Sequence, residues 1–352
     1  MGKWRRRLYV FFIFLLAVLS TLRLGDEVAQ ARNLRGVAQF ITDAGLEKYA
    51  LYDSSAKQAL GELQRFIVER NLSVPLFALD GEKKKVCIAI TTARRVNSPY
   101  SYLVQAVVSL IARMPYMARR GDVYIHVFNV DHKPETHPDV ALLQGLVPVT
   151  NVKVAVPQSK QPLPSKYQQR KFQEALDHSE MVQTVAGWDC ELPILLEDDA
   201  LAGDGWLAGV DLASTQLADW FLVKLFTARR GKYPSRPAGI TNYDQGFNGV
   251  ALMMNPKYLS VFAEEQRREV LETIRSHDFD RFEAKDLFLN DFRRKHGLKM
   301  QAFEPSLFQH TGVFSSFHAR DMHHFAWYME ARNFASDKKP IVFNQSLFFA
   351  GS

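Results

Sequence analysis

From about residue 80 onward, short uninterrupted apolar runs alternate with longer stretches whose apolar residues recur every three or four positions. Residues 86–90, 123–130, 192–196 and 250–254 are apolar runs too short for globular helices, the pattern of strands buried on both faces. Residues 152–156 predict a further strand, which runs into a Pro-rich loop ending at Pro164. Helical spacing predicts helices over 55–70, with Leu60, Leu63, Phe66 and Ile67, and over 101–114 and 166–186. Pro256 fixes the backbone at the first turn of another helix, whose apolar stripe is Leu259, Phe262, Val270, Leu271 and Ile274. A last helix is predicted from Glu283, where Phe288 and Phe292 are i,i+4 partners. Strand, helix, strand, strand, helix, strand is the order of an α/β protein, a mixed, mostly parallel sheet flanked by helices.

One run ends abruptly. Leu192-Pro193-Ile194-Leu195-Leu196 stops at Glu197-Asp198-Asp199, three consecutive carboxylates at the carboxyl end of a buried strand, where ligands sit in open α/β sheets. Such acids repel one another and raise each other's pKa unless a cation lies between them. Two readings fit, a divalent metal site and an acidic turn capping the next helix. The loop after the first strand carries Arg94 and Arg95, and the helix before the acidic strand carries Lys166, Arg170 and Lys171. In a doubly wound sheet these cations approach the same mouth, which suits a metal-bound diphosphate, although each alone also reads as solvated surface charge.

Gly203-Asp204-Gly205-Trp206 ending at Gly209 is one residue too long for a dinucleotide fingerprint, and the acids before it would repel a pyrophosphate, so a nicotinamide cofactor is excluded. Trp206 reads either as the wall of an acceptor-sugar site or as core. Asp286, at a helix start, either favours the helix dipole or serves as a general base. His310 lies in a polar turn after a short strand, where a structural role is the ordinary one; His318, His323 and His324 lack metal-ligand spacing.

Charge adds an address. The 352 residues carry 44 Lys and Arg against 38 Asp and Glu, a net +6, of which Lys3, Arg5, Arg6 and Arg7 supply +4. The remaining +2 gives no ground for nucleic-acid binding. Behind this tail (1–7), residues 8–23 read as a signal anchor that places everything after Arg23 in the lumen of the secretory pathway. Ala29-Gln30-Ala31 offers a cleavage site, but Arg23, Asp26 and Glu27 intervene and favour retention. Residues 24–80 read as stem and helical lead-in, and 81–352 as the catalytic domain. Two sequons, at Asn71 and Asn344, agree with a lumenal location. Cys87 and Cys190 begin or precede strands of the same sheet, which leaves open a single bridge or two buried thiols.

Together these residues resemble the GT-A superfamily of nucleotide-sugar glycosyltransferases, with Glu197-Asp198-Asp199 as a D-x-D-like motif. From Cys87 to about Phe317 the chain resembles two related groups. Thr92-Ala93-Arg94-Arg95, Ser101-Tyr102-Leu103 and the segment from Pro305 to Gly312 are similar to the Golgi N-acetylglucosaminyltransferases that branch N-glycans. Leu196-Glu197-Asp198-Asp199 followed by Asp204-Gly205-Trp206, and Lys285-Asp286 leading to Gly297-Leu298, are closer to the GPI-glycan N-acetylgalactosaminyltransferases. Those enzymes carry a membrane hairpin within the catalytic domain, and nothing after Arg23 here is long and apolar enough to match it.

The resemblance implies a GT-A-like fold and assigns roles. Asp199 and His310 would bind a divalent cation, Mn²⁺, with Glu197 and Asp198 assisting at the metal and ribose. Thr91, Thr92, Arg94 and Arg95 would line the uridine pocket, and Arg170 and Lys171 would bind the diphosphate of a UDP-sugar. Trp206, Tyr243 and Gln245 would face the acceptor, and Asp286 would be the base of an inverting transfer, with Asp244 and Glu283 as alternatives. The expected activity is transfer of an N-acetylhexosamine, GalNAc, to a GPI-anchor mannose by a Golgi type II membrane protein. An N-glycan acceptor is the alternative enzyme reading, and an inactive membrane-anchored glycan-binding protein is the alternative of another class.

Overall fold

The computed structural model describes residues 46–72, 74–77, 79, 83–95, 98–114, 121–157, 165–227, 238–242, 249–279, 285–312, 334 and 339–344. Helix α1 (Leu46–Glu69) leads into strand β1 (Lys84–Thr92), helix α2 (Tyr102–Ala112), strand β2 (Val123–Asn129), the short helix α3 (Pro138–Leu143) and strand β3 (Val149–Asn151). Helix α4 (Lys166–Ala186) precedes β4 (Cys190–Glu197), β5 (Ala200–Ala202), helix α5 (Trp206–Gln216), β6 (Leu222–Lys224), β7 (Gly239–Asn242) and β8 (Ala251–Met254). Helices α6 (Pro256–Ser276) and α7 (Lys285–Lys295) are followed by β9 (Met300–Glu304) and β10 (Phe308–His310).

The main sheet runs β3-β2-β1-β4-β8-β6-β9-β7. β1 is parallel to both neighbours, with Val86 opposite Val123 on one side and Leu192 on the other. β2–β3 and β6–β9 are also parallel, whereas β8 runs antiparallel to β4 and β6, and β7 antiparallel to β9. The sheet is therefore mixed and largely parallel, as the pattern predicts, with the antiparallel pairs confined to one half.

Alternation along the central strands divides the core. Val86, Ile88, Ile90, Leu192, Ile194 and Leu196 pack on one face with α1 and α2, while Ala89 and Leu195 pack on the other with α4, α6 and α7. Tyr52, Leu60, Leu63 and Phe66 of α1 belong to that first core, as do Ile341 and Phe343 near the other end of the chain. Helix α1 thus shares the core of the sheet from Tyr49 onward. Cys87 and Cys190 form a disulfide between β1 and β4, covered by Tyr124 and Trp188, which closes the alternative left open by the sequence.

Local chemistry sets the element ends. Ser165 accepts from Gln168 N at the start of α4, and Asn255 accepts from Lys257 N ahead of Pro256 in α6. The strand expected at 152–156 lies instead at Val149–Asn151. Beyond it the Asp177 carboxylate accepts from Val154 N and Gln173 donates to Val154 O, so side chains of α4 take the backbone groups a ladder would need. Among the described residues no helix is long and apolar enough to cross a membrane, and the anchor predicted at 8–23 lies outside them.

Candidate active site

Because β1 and β4 are parallel with Thr91 opposite Glu197, the loop after β1 and the acids after β4 emerge at the same edge. Thr92 Oγ1 donates to Asp198 Oδ2 at 2.7 Å. Arg95 Nη2 donates to Asp198 Oδ1 at 2.5 Å and to Asp199 Oδ2 at 2.7 Å, and its guanidinium lies 4.5 Å from the Tyr102 ring centre. A second route brings in His310. The short β5 and β10 pair antiparallel with Ala200 opposite His310, and Thr311 donates from both N and Oγ1 to the Asp199 carbonyl. His310 Nε2 is thereby held 3.2 Å from Asp199 Oδ2.

Glu197 completes the cluster. One carboxylate oxygen each of Glu197 and Asp199 and a His310 ring nitrogen lie within 4.8 Å of one another. Lys285, the first residue of α7, bridges Glu197 (2.9 Å) and Glu174 of α4 (2.8 Å). Burial alone would raise the Asp199 carboxyl, but His310 and Arg95 hold it well below the usual carboxylate range. Burial would likewise depress His310, and Asp199 overcomes it, raising the imidazole. Asp198 is raised by burial against the pull of Arg95.

These residues fit a divalent cation. Two carboxylates and an imidazole are the donor set such ions take at mixed O/N sites. Asp199 Oδ1 is buried and has no hydrogen-bond partner among the described residues, a costly arrangement for a carboxylate oxygen unless a ligand completes it.

Beside the acids opens a polar cleft walled by Arg94, Arg95, Tyr100, His137, Asp139 and Asp198. Burial pushes Asp139 up to about 6, opposed by a hydrogen bond with Ser101. His137 Nε2 lies 3.1 Å from Thr92 Oγ1.

The structure thus brings together Thr92, Arg95, Glu197, Asp198, Asp199 and His310. Thr91 Oγ1 instead donates to Met181 Sδ of α4 at 2.8 Å, on the other face of the sheet, which corrects its reading as part of the nucleotide pocket. Arg94 borders the cleft, its backbone N donating to Asp131 Oδ2 at 2.9 Å and its Nε 3.8 Å from the same oxygen. Arg170 is exposed on α4, and Glu174 of the same helix reaches the acids through Lys285. Lys171 on the same helix is half-buried. Trp206 is fully buried and donates its indole N–H to Leu110 O at 3.1 Å, which places it in the core and corrects its reading as an acceptor wall. Gly205, at φ 72°, takes the left-handed turn that directs the start of α5 inward. Asp286 is the second residue of α7, with its side chain outside the described residues, as are Tyr243, Asp244, Gln245 and Glu283. Sequence reasoning missed Glu174, His137 and Asp139 as neighbours of the site and gave Lys285 no role; only the adjacency of Lys285 to Asp286 pointed toward any of them.

Residues 86–236 match the family model described as GPI-N-acetylgalactosamine transferase PGAP4. This region, somewhat less than half of the chain, is similar to that transferase family. The match takes in the β1 loop and the three acids but stops before Lys285, Asp286 and His310. No curated protein matches the chain. Among solved structures, the apo glycosyltransferase GlyE of Streptococcus pneumoniae TIGR4 is 15% identical with a TM-score of 0.36, over 62% of this chain and 45% of that one. S. aureus TarS 1-349 is 8% identical with a TM-score of 0.38, over 64% and 59%. The 4-diphosphocytidyl-2C-methyl-D-erythritol synthase of Anaerococcus prevotii DSM 20548 is 13% identical with a TM-score of 0.34, over 64% and 89%. The chain spans less than half the length of the two GlyE structures.

Proposed function

We propose that the chain is a metal-dependent, inverting glycosyltransferase that moves an N-acetylhexosamine, GalNAc, from its UDP-sugar to a mannose of a GPI anchor. The observation that carries this reading is the convergence of Glu197, Asp199 and His310 at the end of β4, with Asp199 Oδ1 left without a protein partner among the described residues. The family match, which includes the acids, supports the sugar and the acceptor. The Cys87–Cys190 bridge supports an oxidising lumen and hence the Golgi-type, anchored topology.

In this reading Glu197, Asp199 and His310 would hold Mn²⁺, which when bound would supply Lewis-acid charge toward a departing diphosphate. Thr92 and Arg95 lie on the nucleotide side of the cleft, with Arg170 and Lys171 toward the phosphates. Lys285 ties the start of α7 to Glu197, and Asp286 is the next residue of that helix. In this reading Asp286 takes the proton of the acceptor hydroxyl as it attacks, so inversion requires one base and no covalent intermediate.

The test measures sugar transfer from UDP-GalNAc and UDP-GlcNAc to mannosyl acceptors, of GPI and of N-glycan type, with Mn²⁺ and with EDTA. Transfer of GalNAc to the GPI-type acceptor with Mn²⁺ alone supports the reading. Asp199→Ala is expected to lower it by roughly a hundredfold or more, since a charge-stabilising group is lost. Preference for UDP-GlcNAc and an N-glycan mannose would transfer the assignment to the branching enzymes. Absence of both transfer and donor hydrolysis, with glycan binding unchanged in Asp199→Ala, would make the protein a lectin-like scaffold.

A further inference from the structure

The acids that would hold a metal already face a cation of the chain itself. Arg95 donates from one nitrogen to Asp198 Oδ1 and Asp199 Oδ2, and His310 shares the latter oxygen at 3.2 Å. The arrangement is close-packed. A Cβ at Gly312 would overlap Asp199 Oδ2 and lie 2.8 Å from Arg95 Nη1, so the backbone there presses carboxylate and guanidinium together. Tyr102 covers the guanidinium, and the Arg95 side chain is only 12% exposed. A divalent ion seated on either oxygen of Asp199 would stand within a few ångströms of that guanidinium, and like charges so placed repel strongly where little water screens them.

We propose that Arg95 is the resident counter-charge of Asp198 and Asp199, that it opposes metal binding in the absence of donor, and that a nucleoside diphosphate relieves this by offering the guanidinium an alternative anion. The inference rests on the metal-and-donor reading above and adds a coupling to it. Metal and diphosphate bind cooperatively, with Arg95 as the link, and by linkage each raises the affinity of the other by the same factor. Thr92, which donates to Asp198 Oδ2, continues to satisfy that carboxylate when Arg95 is drawn away.

The experiment titrates Mn²⁺ into the full chain, with free ion read by electron paramagnetic resonance, for the wild type and Arg95→Ala, each with and without UDP. Without UDP, Arg95→Ala is expected to bind Mn²⁺ more tightly, by on the order of tenfold. UDP is expected to tighten Mn²⁺ binding to the wild type by a similar factor and to the variant by clearly less. Equal or weaker Mn²⁺ binding by a folded Arg95→Ala, or an equal UDP effect in both proteins, overturns the proposal and leaves the metal site standing. No Mn²⁺ binding by the wild type with UDP present overturns the metal reading and this inference together. Thermal unfolding checks each variant; if Arg95→Ala does not fold, Arg95→Gln removes the charge but keeps a donor and takes its place.

Discussion

His310 Nε2 lies 3.2 Å from Asp199 Oδ2 because the backbone of β10 pairs with β5, with His310 opposite Ala200. The pairing uses main-chain groups, so His310→Ala keeps the β5–β10 ladder and removes only the imidazole. Loss of one of three candidate ligands is expected to weaken Mn²⁺ binding by about tenfold to a hundredfold, at least as much as loss of a supporting group around a metal. A metal titration monitored by electron paramagnetic resonance reads this directly. Unchanged affinity would remove His310 from the ligand set.

Lys285 carries a different load. It neutralises Glu197 and Glu174, whose side chains are 27% and 29% exposed, so Lys285→Met leaves two half-buried acids without their shared cation. The expected cost is about 1–3 kcal/mol, less than for a fully buried pair because water screens part of it. Removing one orphaned acid should recover part of that cost, so Lys285→Met with Glu174→Gln is expected to be more stable than Lys285→Met alone. Urea denaturation compares the variants, and activity with Lys285→Arg separates charge from position.

Much of this arrangement is legible in the sequence. The runs at 86–90 and 192–196 are the central strands, residues 166–186 are the helix α4, and the acids stand at a strand end beside the Arg94-Arg95 loop. What the pattern does not carry is contact made through tertiary pairing. β5 and β10 are three residues each, too short for any periodicity, yet their pairing brings His310 to Asp199. Trp206 misleads for a related reason, since an aromatic beside glycines reads equally as wall or core, and the left-handed Gly205 decides it. Residues 55–70 show the helix α1, but nothing local reveals that its apolar stripe meets the sheet rather than standing apart as a stem.

Acid should weaken the fold through His178. This side chain on α4 is buried, with Nδ1 2.8 Å from Gln266 Oε1 on α6; burial, then Lys285, lowers its pKa to about 4. In the unfolded chain the value is about 6.5, so between these limits the unfolded state binds a proton that the folded state does not. Stability from this group is full above about pH 6.5 and is lost as pH falls toward 4, at up to about 1.4 kcal/mol per pH unit. Urea midpoints measured from pH 7 to 4 should show the decline, and His178→Gln, which keeps a partner for Gln266, should flatten it.

Gly312 offers the sharpest steric test. A Cβ there would overlap Asp199 Oδ2 and crowd Arg95, atoms held by the Arg95 pair and by the Thr311 bonds to the Asp199 carbonyl. The Asp199 carboxylate cannot retreat cheaply, because it is buried and its backbone and His310 are held by the pairing of β5 and β10. Gly312→Ala is therefore expected to displace the Asp199 carboxylate and lower sugar transfer by at least about tenfold, as small misplacements of a positioned group do. Gly297, with open space around its Cβ but a φ of 63°, is the control: Gly297→Ala strains only the turn after α7. It should cost about 1 kcal/mol of stability and leave transfer intact. Equal activity of the two variants would show that Asp199 can shift without consequence, and would weaken its place at the centre of the site.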